Sequence, residues 1–130
     1  MSTTITITKS IDVDIELTAD TRYGDSGNHA VVATVPATTY DDAREVARVG
    51  LYQSDDRPDG SAKFTVTGNF VGNYAVEAKV RKAVEGSLTV QFDSESGQFF
   101  AYVRSFDAAI ILARKVAEAA VEVALEAGEL

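Results

Sequence analysis

The chain has 130 residues and a formal net charge of −8, and 45% of its residues are hydrophobic, a balance typical of one globular domain. It contains no cysteine, which excludes disulfides, zinc–thiolate sites and cysteine nucleophiles and favours a cytoplasmic location. The acidic balance disfavours direct binding to nucleic acid or anionic lipid. The polar, alternating N-terminus predicts no signal peptide, and no apolar run approaches the length of a membrane span.

The first half of the chain predicts two strands and a helix. Apolar residues fall on odd positions and polar residues on even positions over 3–17, which is the period of a half-buried strand with a bend near Lys9–Ser10. A second strand is expected over 30–35. Thr39 can then cap a helix, with apolar residues at helical spacing up to Leu51.

The second half predicts three strands and two helices. Strands are expected over 63–68, 87–92 and 98–103, with the loop DSESG joining the last two as a hairpin. The segment 73–85 fits either a strand or a helix. Helix is preferred, since Asn73 could cap its start, Gly86 could follow its end, and Glu77 and Arg81 are spaced as an i,i+4 pair. The last helix should run from about 105–107 to 127.

Two segments share a pattern that indicates an internal duplication. ATVPATTYDDAREVAR and AYVRSFDAAIILAR each have Ala-x-Val at a strand end and an aromatic-Asp-x-Ala at a helix start. The single domain 1–130 would then hold β-β-α repeats over 3–51 and 87–127 with an insert over 53–86. The predicted fold is α+β, an antiparallel sheet of about five strands with two to three helices, one of them long and C-terminal.

The tetrapeptide GDSG, residues 24–27, resembles the sequence around the nucleophile of trypsin-like serine proteases, and the only histidine, His29, follows it. The resemblance would imply a catalytic Ser26, but in that family the histidine comes from a remote segment and the fold needs two barrels. Two glycines around Asp25 and Ser26 predict a polar loop instead. No enzymatic activity and no cofactor are expected.

A row of carboxylates on the first strand is the weak candidate for a metal site. Asp12, Asp14 and Glu16 alternate and therefore share a face, which suits either a hard cation or the solvated side of an amphipathic strand. The segments DDRPDG and DSESG begin like calcium loops but lack oxygen ligands at later positions. No metal site is predicted from them.

The last helix is apolar around more than half of its circumference. Two interpretations stay open. The helix is either a core element covered by the sheet and the other helices, or it also packs against a second subunit or a partner protein. The residues predicted for that interface are Ile111, Ala113, Ala117, Ala120, Val121, Ala124 and Phe99.

The segment FDSESGQFFAYV, followed by a helix, resembles the strand–turn–strand of HicB-like antitoxins, which implies a small protein that binds another protein. We expect a small acidic binding protein that acts through protein–protein contact, as a homodimer or as an inhibitor or accessory factor of a phage or mobile element. A small-ligand or cation-binding domain is the alternative. The third hypothesis is a nucleic-acid mimic, in which carboxylates imitate phosphates through Asp12/Asp14/Glu16, Asp41/Asp42/Glu45 and Glu118/Glu122/Glu126.

Overall fold

The computed structural model describes residues 2–7, 11–19, 29–35, 44–54 and 63–128, which form an antiparallel sheet and two helices. The sheet order is β1-β2-β3-β4-β5-β7-β6. The predicted α+β class and the long C-terminal helix are therefore confirmed. The elements are β1 (Ser2–Ile7), β2 (Ile11–Ala19), β3 (His29–Val35), β4 (Arg44–Ser54), β5 (Lys63–Gly68), α1 (Asn73–Val84), β6 (Gln91–Phe92), β7 (Phe99–Val103) and α2 (Phe106–Glu126).

The alternating pattern over 3–17 belongs to two strands instead of one bent strand. β1 and β2 pair antiparallel, with Ile7 opposite Ile11 and Ile5 opposite Val13. In this register an odd-numbered residue of β1 always has an odd-numbered Cα partner in β2. In β2 the odd positions Val13 and Ile15 are buried, as the alternation predicted, but the reversal of the chain was not predicted, and the described sheet has more than the five strands expected.

Residues 44–54 form the strand β4, so the helix predicted over 39–51 is wrong in its described part. Ala47, Val49 and Leu51 are buried at alternate positions of this strand. Its β-branched valines also pack better on a pleated sheet than on a helix. Because β4 stands where the first repeat needs a helix, the two predicted repeats differ in structure and the duplication is not supported.

Helix α1 follows the prediction closely. Arg81 Nε lies 3.3 Å from Glu77 Oε2, and Gly86, just past the helix end, has a φ of 78°. The N–H groups of Ser87 and Leu88 both donate to the carbonyl oxygen of Val84 at 3.0 and 3.1 Å. These two residues thus close the end of α1, and pairing with β7 begins only at Gln91. The strand expected over 87–92 is therefore reduced to its last two residues.

Asn73 begins α1 but does not cap it. Its Oδ1 accepts a hydrogen bond from the Phe70 N–H at 2.9 Å. Its Nδ2 donates to the Ser96 carbonyl oxygen at 3.0 Å and to Asn69 Oδ1 at 3.3 Å. The side chain is buried, and it ties the segment before α1 to the hairpin before β7.

Both described helices pack on one face of the sheet, which we call the helix face. Helix α2 contacts β3, β4 and β5 and also contacts α1, so the sheet and α1 together cover its wide apolar surface. Neither described helix is long and apolar enough to cross a membrane. The strand residues buried on the helix face are Val13, Ile15, Val31, Ala33, Ala47, Val49, Leu51, Val66, Phe99, Ala101 and Val103.

Gly68 ends β5 where the ring of Phe70 folds back over the backbone, and a Cβ at this position would overlap that ring. We expect Gly68→Ala to lower the free energy of unfolding by about 1–3 kcal/mol, because the ring must leave its place beside Phe99. Urea denaturation measures this change. Gly50→Ala is the matched control, since its Cβ would meet Thr67 only at ordinary contact distances of 3.4 and 3.6 Å. An equal loss in a Phe70→Ala background would contradict the proposed overlap.

Candidate functional site

The register of four strands aligns small residues on the second face of the sheet, opposite the helix face. Gly50 of β4 lies opposite Ala30 of β3 on one side and Thr67 of β5 on the other. Thr67 in turn lies opposite Phe100 of β7. Tyr52, two residues further along β4, shares this face. The missing side chain at Gly50 therefore leaves a depression beside Thr67 and Tyr52, with Phe100 on the far side of Thr67.

A cavity of about 750 Å³ lies at this depression, and we call it the Gly50 cavity. Its volume falls within the range of ~300–1,000 Å³ that small-molecule sites occupy. β5 pairs with β4 only over Gly50–Ser54, and the cavity continues past the end of β5 toward α2. Its described lining residues are His29, Glu45, Val46, Ala47, Arg48, Gly50, Leu51, Tyr52, Thr67, Gly68, Asn69, Phe70, Val71, Gln98, Phe100, Ala120 and Ala124.

The backbone at Gly50 does not require a glycine. Among the described glycines only Gly86 and Gly128 have positive φ. A Cβ at Gly50 would lie at ordinary contact distance from Thr67. Glycine within a strand weakens the strand, and it often marks a place where a ligand approaches the backbone closely. The cavity therefore explains the glycine at this position better than the backbone conformation of the strand does.

A chain of hydrogen bonds fixes the polar side of the cavity. Gln98 Nε2 donates to Thr67 Oγ1 at 2.8 Å, and Thr67 Oγ1 donates to the carbonyl oxygen of Phe99 at 2.7 Å. Because the threonine hydrogen is used for Phe99, its oxygen can only accept from Gln98. The amide nitrogen of Gln98 must therefore face Thr67, which sets the orientation of the whole carboxamide.

The two oppositely charged side chains of the described lining bind each other. Arg48 Nε donates to Glu45 Oε1 at 2.8 Å, and Arg48 Nη2 donates to Glu45 Oε2 at 3.0 Å. A paired guanidinium and carboxylate offset each other's charge. This part of the cavity is therefore polar without a net charge.

Most residues of the predicted interface lie in the core of this chain. Ala113, Ala117 and Val121 are fully buried, as is Phe99, while Ala120 and Ala124 are buried at the inner end of the cavity. Only Ile111 reaches the surface, with 48% of its area exposed. The interface hypothesis stays a prediction, and it now depends on Ile111.

The residues proposed for a cation site and for nucleic-acid mimicry are placed only in part. Asp14 and Glu16 share a face of β2, and no group of three or more histidine or acidic residues in the described part of the chain could hold a metal ion. Asp41 and Asp42 lie outside the described residues. The α2 carboxylates carry ion pairs instead. Lys79 Nζ lies 3.6 Å from Glu122 and 3.0 Å from Glu126, and Lys115 Nζ lies 3.8 Å from Glu118.

The GDSG segment lies outside the described residues, but His29 does not. Its ring packs edge-on against Phe106 with ring centroids 5.2 Å apart, and Phe106 also neighbours Phe64 at 6.0 Å. The imidazole therefore belongs to an aromatic cluster at the start of α2. This packing gives His29 a place in the fold that needs no catalytic role.

Tyr102 lies in the row of the second face next to that of Gly50, two strands away from Tyr52. Burial raises the pKa of its hydroxyl, and the carboxylates of Asp93 and Glu95 add to the effect. The folded state therefore holds this proton to higher pH than the unfolded chain. It follows that stability should fall as the pH rises above about 10. When the pH rises from 9 to about 11, the free energy of unfolding should fall less in Tyr102→Phe than in the wild type, as measured by urea denaturation at each pH. Parallel losses in the two proteins would contradict this assignment.

The chain matches no protein-family model, no curated protein and no solved structure at a significant level. The similarity to HicB-like antitoxins thus gains no support from the comparisons. The case for a site depends on the geometry around Gly50, a residue that the sequence pattern assigned to a helix. A signal was present in the sequence, since Gly50 stands between Val49 and Leu51 with no other glycine, proline, asparagine or aspartate from Ala43 to Gln53.

Proposed function

We propose that this chain is a binding protein without catalytic activity, and that it holds a small organic ligand in the Gly50 cavity. The observation that carries the proposal is a glycine in the middle of a strand, not required by its backbone, that opens the floor of a cavity of about 750 Å³. This is the small-ligand alternative among the functions expected from the sequence.

The chemistry of the lining supports recognition of a ligand. Tyr52 and Phe100 supply aromatic surface, and the Gln98 carboxamide supplies a fixed donor and acceptor. Binding sites of this kind combine mostly apolar walls with a few placed polar groups. An amide, a phenol and an ion-paired guanidinium are groups that orient a ligand.

Filling the cavity should weaken ligand binding strongly while leaving the fold intact. We expect Gly50→Leu to lower the affinity of every ligand found for the wild type by at least about tenfold, because the new side chain occupies the cavity floor. The measurement is a fragment screen followed by titration, both read by two-dimensional NMR. The fold should persist in the variant, since replacing a strand glycine commonly adds up to about 1 kcal/mol of stability.

Gly97→Leu provides the matched control for this experiment. It adds the same side chain at a glycine of the hairpin turn that is exposed and has no atom within 4 Å of the added Cβ. Binding should be unchanged in that variant. Ligands that bind a folded Gly50→Leu protein as tightly as the wild type would place the site elsewhere.

Self-association through α2 is the second candidate function. The observation that favours it is Ile111, a large apolar side chain with 48% of its area exposed on the outer side of the helix. Contacts between the copies of a homo-oligomer bury apolar side chains, and on the exposed side of α2 Ile111 is the large one that such a contact would cover. Light scattering of the wild type and of Ile111→Glu tests this candidate.

A further inference from the structure

We infer that the ligand of the Gly50 cavity is an uncharged, flat molecule whose edge carries both an N–H donor and a carbonyl acceptor, as in a carboxamide or a lactam. This inference rests on the proposed function. Three observations on the described lining point to this class. They are the neutral pairing of its charges, the fixed direction of one carboxamide, and the spacing of two aromatic side chains around a glycine.

The absence of net charge comes from the pair of Glu45 and Arg48. Two hydrogen bonds of 2.8 and 3.0 Å join the carboxylate and the guanidinium side by side. A charged ligand would have to compete with one partner of this bidentate pair, and it would lose its own hydration on entry. The chain's net charge of −8 adds a further barrier to an anion.

The polar edge of the ligand follows from Gln98. Its Nε2 donates one hydrogen to Thr67 Oγ1 at 2.8 Å, so the second N–H and Oε1 are the groups that it can offer. Among the described residues, no hydrogen bond from a protein group to Oε1 is found. A carboxamide with a fixed direction pairs best with another amide, whose N–H meets Oε1 and whose carbonyl meets the second N–H.

The flat shape follows from the register of the sheet. Phe100 lies two strands away from Gly50, about 9–10 Å across the sheet, and Tyr52 lies two residues along β4, about 7 Å away. The backbone at Gly50 has no side chain and forms a short open floor, bordered on the side toward Phe100 by the Thr67 side chain, whose methyl lies 3.4 Å from where a Gly50 Cβ would stand. A planar ring system lies closely on such a floor and meets the aromatic side chains at its edges.

Three probes of nearly the same shape test the inference. These are benzamide, benzoate and benzamidinium, titrated into the full chain and followed by two-dimensional NMR, with toluene as an uncharged probe that lacks the amide. We expect benzamide to bind at least about tenfold more tightly than either charged probe. We also expect Gln98→Leu to lower the affinity for benzamide by about tenfold without changing the affinity for toluene. Gln91→Leu is the matched control, because Gln91 lies on the same sheet but does not line the cavity.

The outcomes separate this inference from the proposed function. If benzoate or benzamidinium binds as tightly as benzamide, the uncharged class is wrong while the cavity remains a ligand site. If benzamide binds Gln98→Leu and the wild type equally, the amide edge is wrong. If none of the four probes shifts the resonances of the cavity residues, both the inference and the proposed function are overturned.

Discussion

Phe99→Ala should lower the free energy of unfolding by about 3–5 kcal/mol, the largest loss we expect for a single truncation among the described residues. The ring is fully buried, and its centroid lies 5.9 Å from that of Phe70 and 6.5 Å from that of Phe92. Truncation removes these contacts and leaves a cavity beneath the two helices. Urea denaturation monitored by circular dichroism measures the change.

Phe100→Ala is the control for Phe99→Ala, because the adjacent ring points to the second face and is only partly buried. Its loss of stability should be clearly smaller. The comparison decides the role of Phe99, which the sequence assigned to a subunit interface. If Phe99→Ala loses less than about 1 kcal/mol and also changes the oligomeric state, Phe99 belongs to a subunit interface, as the sequence predicted.

Ala117→Glu should destabilise the chain by about 3–5 kcal/mol, because it places an unpaired carboxylate in the core. Ala117 is fully buried on α2, where the sheet and α1 enclose the helix. Thermal and urea unfolding measure the loss. A variant as stable as the wild type would show that this side of α2 can reach solvent.

Ile111→Glu is the matched variant on the exposed side of the same helix. It should change stability by no more than about 0.5 kcal/mol, since the new carboxylate stays in water. Light scattering of the wild type and this variant tests self-association without the ambiguity of unfolding. If the wild type is a dimer and Ile111→Glu is a monomer, self-association through α2 is established. If both proteins are monomers, self-association through α2 is excluded.

The parts of the fold that the sequence predicted are those with one dominant period. The strand over 63–68 and the hairpin strand before α2 have short apolar runs bounded by turn residues, and both were found. α2 begins after Ser105, whose Oγ accepts from the Ala108 N–H at 3.1 Å as an N-cap. Local signals of this kind need no knowledge of distant residues.

β4 could not be predicted because its apolar residues fit two periods. Val46, Ala47 and Leu51 have helical spacing, whereas Ala47, Val49 and Leu51 have strand spacing. The choice is made by pairing with β3 on one side and β5 on the other. Those partners are distant in sequence, and tertiary pairing overrides local preference.

The cavity could not be predicted from the sequence for the same reason. It depends on Gly50, Thr67 and Phe100 standing in one row, which the registers of two strand pairs determine. A shift of one residue in any pair would replace the row with buried residues of the other face. The sequence gives the alternation within each strand but leaves the alignment between strands open.

The hydrogen bonds of Asn73 make two distant segments behave as one cooperative unit. A single amide joins the entrance of α1 to the hairpin that ends at Gln98. Detaching the hairpin breaks the bond to the Ser96 carbonyl and leaves the buried Asn73 carboxamide, which also holds the Phe70 N–H, without one of its partners. An opening of the hairpin should therefore also loosen the Phe70 side of the cavity. We expect a ligand held by Gln98 to slow amide hydrogen exchange at Phe70 as well as at Gln98 itself.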